Sequence, residues 1–114
     1  MNRVEQISWT DFSKIDIRVG TVITAKPSIR ASKPAFLLTI DFGEAGIKKS
    51  SAQITDYYNI EKLIGSQVIA VINFPSKQIA DFMSECLVLG AYDRDGQVVL
   101  IGPRTPVDNG SKIG

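Results

Sequence analysis

The chain contains no histidine. That absence removes the Ser-His-Asp triad, the Cys-His dyad and every zinc site built on imidazole. The single cysteine, Cys86, excludes a thiolate metal cluster and permits no internal disulfide, a usage that fits the cytoplasm. Neither GxGxxG nor GxxxxGKS/T occurs, so the glycine-rich phosphate loops are missing as well. No apolar run approaches the roughly 18 to 20 residues of a membrane helix. The opening "MNRVEQISWTDF" lacks the apolar stretch of a signal peptide. The expectation is a cytoplasmic protein without membrane insertion.

A basic surplus is also lacking. Lys plus Arg is 13 and Asp plus Glu is 12, a net charge of +1. Strong nucleic-acid binders carry an excess of cations, because phosphate contacts release counterions. An enzyme would have to work with carboxylates, lysine or serine alone, and no closely paired titratable set stands out. A binding module without catalysis, cofactor or metal is the better expectation.

What is present is apolar material. At 114 residues and 44% hydrophobic, the chain reads as one domain, 1–114, with a real core. "SWTDFSKI" predicts a short helical turn, capped by Ser8 or Thr10, with Trp9 and Phe12 on one side. "DIRVGTVITA" predicts the first strand. Gly20 and a switch of parity at Val22 point to a bulge or a tight bend there. "KPSIRASKP" is loop. "AFLLTIDFG" is the second strand, with Phe36, Leu38, Ile40 and Phe42 facing the core.

"EAG" turns the chain into a third strand, "IKKSSAQIT". "NIEKLIG" is a short helix with Asn59 as N-cap and Gly65 just past its end. "QVIAVINF" is a fourth strand, apolar on both faces and therefore central. "PSKQIADFMSE" reads as a long loop with a helical turn, since Ile79 and Phe82 are spaced i, i+3. "CLVLGAYD" is the fifth strand, and Asp95-Gly96 makes a hairpin into "QVVLIG". The tail "PRTPVDNGSKIG" shows turn chemistry.

Five strands with one short helix between the third and fourth are the order of the OB-fold, a small all-β barrel that binds extended ligands on strands two and three. Another small barrel or sandwich is the alternative. Within that order the third strand is odd. Lys49, Ser51 and Gln53 lie on one face, and Lys48, Ser50, Ala52 and Ile54 on the other, so most of both faces is polar or small. Either it floors a ligand groove, or it is a solvated edge whose lysines discourage aggregation.

The stretches "DIRVGTV", "IDFGEAGIKKSSAQIT", "VIAVINFPSKQIADFMSECLVLG" and "PVDNGSKIG" resemble CsaA, a family of bacterial secretion-related chaperones. The likeness spans nearly the whole chain. CsaA belongs to a wider group of tRNA-binding domains, found alone or attached to aminoacyl-tRNA synthetases. The group's pattern has an asparagine at the end of the fourth strand, a basic stretch, a glycine, a serine and a Gly-Met pair. Asn73, Lys77 and Ser84 match it. Gln78 and Ala80 dilute the basic stretch, Asp81 replaces the glycine, and Cys86-Leu87 replaces Gly-Met.

The resemblance implies an OB-fold homodimer that binds unfolded or precursor polypeptides, with the protein-export machinery as a further partner and tRNA as the alternative ligand. It also implies one apolar pocket per subunit, ringed by positive charge. Phe74, Pro75, Ile79 and Phe82 would supply the apolar surface. Arg18, Lys33, Lys48, Lys49 and Lys77 would supply the rim, and Ser50, Ser51, Gln53, Asn73 and Ser84 the hydrogen bonds. Each has a plainer reading. Ile79 and Phe82 would anchor a turn, Ser84 close one, Asn73 bond nearby backbone, and Arg18 merely meet solvent.

Overall fold

The computed structural model describes residues 4–28, 33–79 and 81–114. Residues 29–32 of the first long loop and Ala80 lie outside the described residues. A helix, α1 (Trp9–Ser13), opens the chain. Ser8 caps it by accepting from the Asp11 N–H, while the Asp11 carboxylate accepts from the Ser8 N–H in return. The Trp9 and Phe12 rings meet edge to face with centroids 6.3 Å apart.

Five strands make the central sheet: β1 (Ile17–Pro27), β2 (Phe36–Asp41), β3 (Ile47–Ala52), β4 (Gln67–Val71) and, further on, a short β7 (Leu87–Val88). Their order is β3-β2-β1-β4-β7, antiparallel throughout. β1 serves two neighbours in turn. Residues 17–21 pair with β4, and the ladder to β2 starts at Thr21. The register slips between Val22 and Thr24, so the bulge expected at Gly20 falls just beyond it. Gly20 instead stays in register opposite Val68. Its role is space: a Cβ there would sit 2.7 Å from Ile40 and Phe42, inside the barrel.

The face expected from β2 is the core. Leu38, Ile40 and Phe42 are fully buried and Phe36 nearly so. Each such side chain contributes about 1.5–3 kcal/mol on leaving water. Val22, Ala25, Ala52, Ile54, Val68, Ala70 and Cys86 join them in the cluster. A second helix, α2 (Ile60–Leu63), follows its expected chemistry. Asn59 Oδ1 accepts from the Lys62 N–H at 2.8 Å, and Gly65 takes φ +88°. Its buried Leu63 plugs into the same core.

The two outer strands of the sheet, β3 and β7, face each other and nearly close the barrel, the OB-fold architecture. The seam is laced at one end. The Glu85 N–H donates to the Lys49 carbonyl at 2.7 Å, and the Lys49 N–H donates to Glu85 Oε1 at 2.9 Å.

Three segments depart from expectation. "PSKQIADFMSE" is a β-hairpin, β5 (Lys77–Ile79) against β6 (Phe82–Ser84), so Ile79 and Phe82 are cross-strand partners rather than neighbours on a helix. The single fifth strand is split. β7 ends at Val88, and β8 (Gly90–Tyr92) turns back through Gly96, at φ +81°, into β9 (Val98–Leu100). The tail is more than turns. The Gly110 N–H donates to the Val19 carbonyl at 2.7 Å, the Val19 N–H to the Ser111 carbonyl at 2.9 Å, and the Ile113 N–H to the Ile17 carbonyl at 2.9 Å. It thus covers the edge of β1 that β2 leaves unpaired. Among the described residues no helix is long and apolar enough to cross a membrane.

Candidate ligand groove

The third strand resolves into two unequal faces. Ser50 points inward with Ala52 and Ile54 and is only 2% exposed. Burying a hydroxyl without a partner is costly. Here Ser50 Oγ donates to the carbonyl of Cys86 at 3.1 Å. Ser50 therefore belongs to the core and does not reach the groove that the sequence suggested it would floor. The outward face is Lys49, Ser51 and Gln53, joined by Ile47, which is exposed.

Ser51 is where the groove lies. A recess of about 300 Å³ is lined by Ser51, Phe74, Pro75, Lys77, Ile79 and the stretch Ser84–Leu87. The β5–β6 hairpin makes one wall, and the loop leaving β4 supplies Phe74 and Pro75. Phe74 is 54% exposed, an aromatic ring presented to solvent at the rim. Ser84 Oγ accepts from the Ser51 N–H at 3.4 Å and donates to the Cys86 carbonyl, also at 3.4 Å, so it fixes the recess floor to the seam.

A second recess, about 500 Å³, begins where β3 ends. It is lined by Lys33, Pro34, the run Ser51–Asp56, Leu87 and Val88 and, from the β8–β9 hairpin, residues including Tyr92, Gln97 and Val98. That hairpin is held by adjacent tyrosines. Tyr57 Oη donates to the Asp93 carboxylate, and Tyr58 Oη accepts from the Leu100 N–H at 2.9 Å. The shared hydrogen bond raises the Tyr57 pKa above its ordinary value and lowers that of Asp93.

Several residues expected at the site lie elsewhere. Asn73 Nδ2 donates to the Lys14 carbonyl at 2.7 Å, and its Oδ1 accepts from the Asp16 N–H at 2.9 Å, so its amide clamps the chain leaving α1. Arg18 is occupied by Asp16, 2.6 Å away, and by the Gly110 carbonyl at 3.1 Å. It binds the tail and does not join the rim. The Asp16 hydrogen bond raises the Arg18 pKa further above its ordinary range. Phe82 packs opposite Ile79 in the hairpin and does not line the recess. Lys48 is half-buried and Lys49 exposed, and neither lines either recess. Lys77 and Lys33 do, one in each.

The chain also brings in residues that the sequence did not place at the site: Glu85 and Leu87 in the first recess, Tyr92 and Gln97 in the second. The Asp95-Gly96 turn signalled their hairpin, but not its place beside β3. Cys86 is buried, and burial pushes its thiol pKa up to about 11. Among the described residues, no group of three His, Cys, Asp or Glu side chains could hold a metal ion.

A near-closed antiparallel barrel with a groove beside its third strand defines the class. Residues 17–112 match the family model described as "Putative tRNA binding domain", and the chain belongs to that family. Within it, the resemblance to CsaA holds. The crystal structure of chaperone CsaA from Bacillus anthracis str. Ames is 50% identical, covering 96% of this chain and 100% of that one at a TM-score of 0.91. The CsaA chaperone protein from Picrophilus torridus is 51% identical over the same shares, at a TM-score of 0.89. Methionine–tRNA ligase of Porphyromonas gingivalis strain W83 is 36% identical over 109 residues, 96% of this chain and 16% of that enzyme. The chain thus spans about a sixth of the length of the curated ligases it matches.

Proposed function

We propose that this protein binds segments of unfolded or precursor polypeptides in the recess beside Ser51, without catalysis, as a cytoplasmic chaperone serving protein export. The carrying observation is the recess itself: Phe74 and Pro75 in a loop, Ile79 in a short hairpin and Leu87 in β7 offer apolar surface, with Lys77 among them. Apolar walls with a single cation suit side chains of varied sequence. The two CsaA structures, matched over their full length, support the reading.

The test is fluorescence anisotropy with a dye-labelled, permanently unfolded polypeptide. Ser51→Leu fills the recess, Phe74→Ala lowers its rim, and Lys14→Ala serves as a control. The first two should weaken binding about tenfold at unchanged melting temperature. Wild-type binding by both would overturn the assignment.

A second reading is tRNA binding on the same face, favoured by the family match and by the ligase relatives. Such binding would run through Lys33, Lys49 and Lys77. It should weaken with salt at a slope of about −0.7 to −0.9 per phosphate neutralised. A salt-independent affinity would exclude it.

A further inference from the structure

The two recesses meet. Ser51 and Leu87 line both, and these residues sit on β3 and β7, the two edges of the sheet. The seam between those edges is laced at Lys49–Glu85 and Ser51–Ser84. Beyond Ser51, β3 has one more residue, Ala52, and the second recess carries on from there along Gln53–Asp56. A continuous recess that joins an apolar site to a second one can hold an extended chain.

We propose that the two recesses form one groove, and that one extended polypeptide segment lies along both, crossing from one to the other at Ser51 and Leu87. The proposal rests on the reading that the first recess binds polypeptide, and extends it to a second subsite. β3 itself ends at Ala52, where the Ile54 N–H turns back to the Ala52 carbonyl at 3.0 Å and a turn begins at Thr55, so the segment follows the recess and not a continued strand.

The two ends differ in chemistry. The first recess takes an apolar side chain among Phe74, Ile79 and Leu87. The second is mixed and more polar, with Gln53, Thr55 and Gln97 beside Ile54 and Val98, Lys33 and Asp56 offering one charge of each sign, and Tyr92 80% exposed. The groove therefore selects an extended segment whose side chains become more polar from one end to the other.

A phosphodiester chain fits poorly. Glu85 lines the first recess and Asp56 the second, while Asp93 and Asp95 belong to the hairpin that walls the second. Carboxylates at both ends offset the lysines and repel phosphate.

The experiment compares three fluorescein-labelled probes on the full chain: an acetylated apolar tripeptide, an extended peptide of about eight residues with an apolar-to-polar step, and a single-stranded RNA of matching length. The variants are Phe74→Ala in the first recess, and Gln53→Trp and Tyr92→Ala in the second, each checked for fold by thermal melting. The long peptide should bind wild type at least about tenfold tighter than the tripeptide. Gln53→Trp and Tyr92→Ala should remove that advantage and leave tripeptide binding intact, while Phe74→Ala weakens both peptides. If Phe74→Ala weakens both peptides but neither second-recess variant changes the long one, the second subsite is overturned and the first reading stands. If none of the three variants alters either peptide, both are overturned. If the RNA binds tighter than the long peptide and is lost in Gln53→Trp, the groove is a nucleic-acid site and the proposal fails. If Gln53→Trp melts early, Tyr92→Ala, an exposed residue, decides between these outcomes.

Discussion

The hydroxyl of Ser50 donates to the carbonyl of Cys86, 36 positions further along the chain, and joins the two edges of the barrel from inside. The bond makes a polar residue acceptable in a core of Leu38, Ile40 and Phe42. Ser50→Ala should cost about 1–2 kcal/mol, because the carbonyl loses its better donor in a buried place and keeps only the longer Ser84 contact. Ser50→Val should cost more, adding bulk to a packed interior. Chemical denaturation of both variants measures this, and an unchanged midpoint in Ser50→Ala would count against the seam as a source of stability.

Asn73 should be a stability residue. Its amide holds two backbone groups at the exit of α1, so Asn73→Ala is expected to lower stability by about 1–2 kcal/mol. Peptide affinity at a temperature where the variant is folded should match wild type. A variant that melts normally but no longer binds would place Asn73 in the groove after all.

The Tyr57–Asp93 bond gives the β8–β9 hairpin a pH window. Asp93 has a lowered pKa in the fold, so its contribution is present above the unfolded carboxylate pKa and is lost as pH falls through the folded value. Tyr57 has a raised pKa, so its contribution is present below the unfolded phenol pKa and is lost as pH rises through the folded value. Amide exchange at Asp95 and Gln97, whose N–H groups Asp93 Oδ1 accepts, should therefore be slowest between these limits after correction for intrinsic rates. Tyr57→Phe should reduce protection throughout that window. Equal protection in variant and wild type would dismiss the latch.

Cys86 should be chemically silent. The thiol is buried, burial raises its pKa to about 11, and it donates to the Lys49 carbonyl at 3.7 Å. At neutral pH little thiolate forms. Alkylation by iodoacetamide should then track global unfolding and accelerate in step with added denaturant. Rapid labelling of the native protein would show that the seam opens locally.

The homodimer proposed from the CsaA resemblance has a physical candidate surface. Trp9 is 85% exposed, and with Ile7 and Phe12 it forms an apolar recess. Trp9→Asp should shift the mass seen by light scattering from dimer to monomer at micromolar protein. A monomer in the wild type would remove the proposal.

The core of this fold was legible because Phe36, Leu38, Ile40 and Phe42 recur at every second position, and a buried face needs nothing but apolar side chains. The helix caps were legible for a local reason, since Ser8–Asp11 and Asn59–Lys62 are bonds across three residues. The third strand was not, because the partner that makes Ser50 an inward residue lies on β7's approach, far off in sequence. The β5–β6 hairpin was missed because a three-residue strand carries too little alternation to separate from an i, i+3 pair. The same distance effect hid the partners of Asn73, 57 and 59 residues away, and the Gly110 carbonyl, 92 residues from Arg18, although Arg18's other partner, Asp16, is local.

The tail's pairing with β1 has a consequence for the order in which the chain can assemble. Val19 and Ile17 exchange hydrogen bonds with Gly110, Ser111 and Ile113, which are made much later. Contacts of such long sequence separation close late, since loop entropy must be overcome before they form. During synthesis the β1–β2–β3 meander can form while this edge of β1 stays bare. Completion waits until residues around 113 have left the ribosome, so the nascent chain itself passes through a stage with an open strand edge.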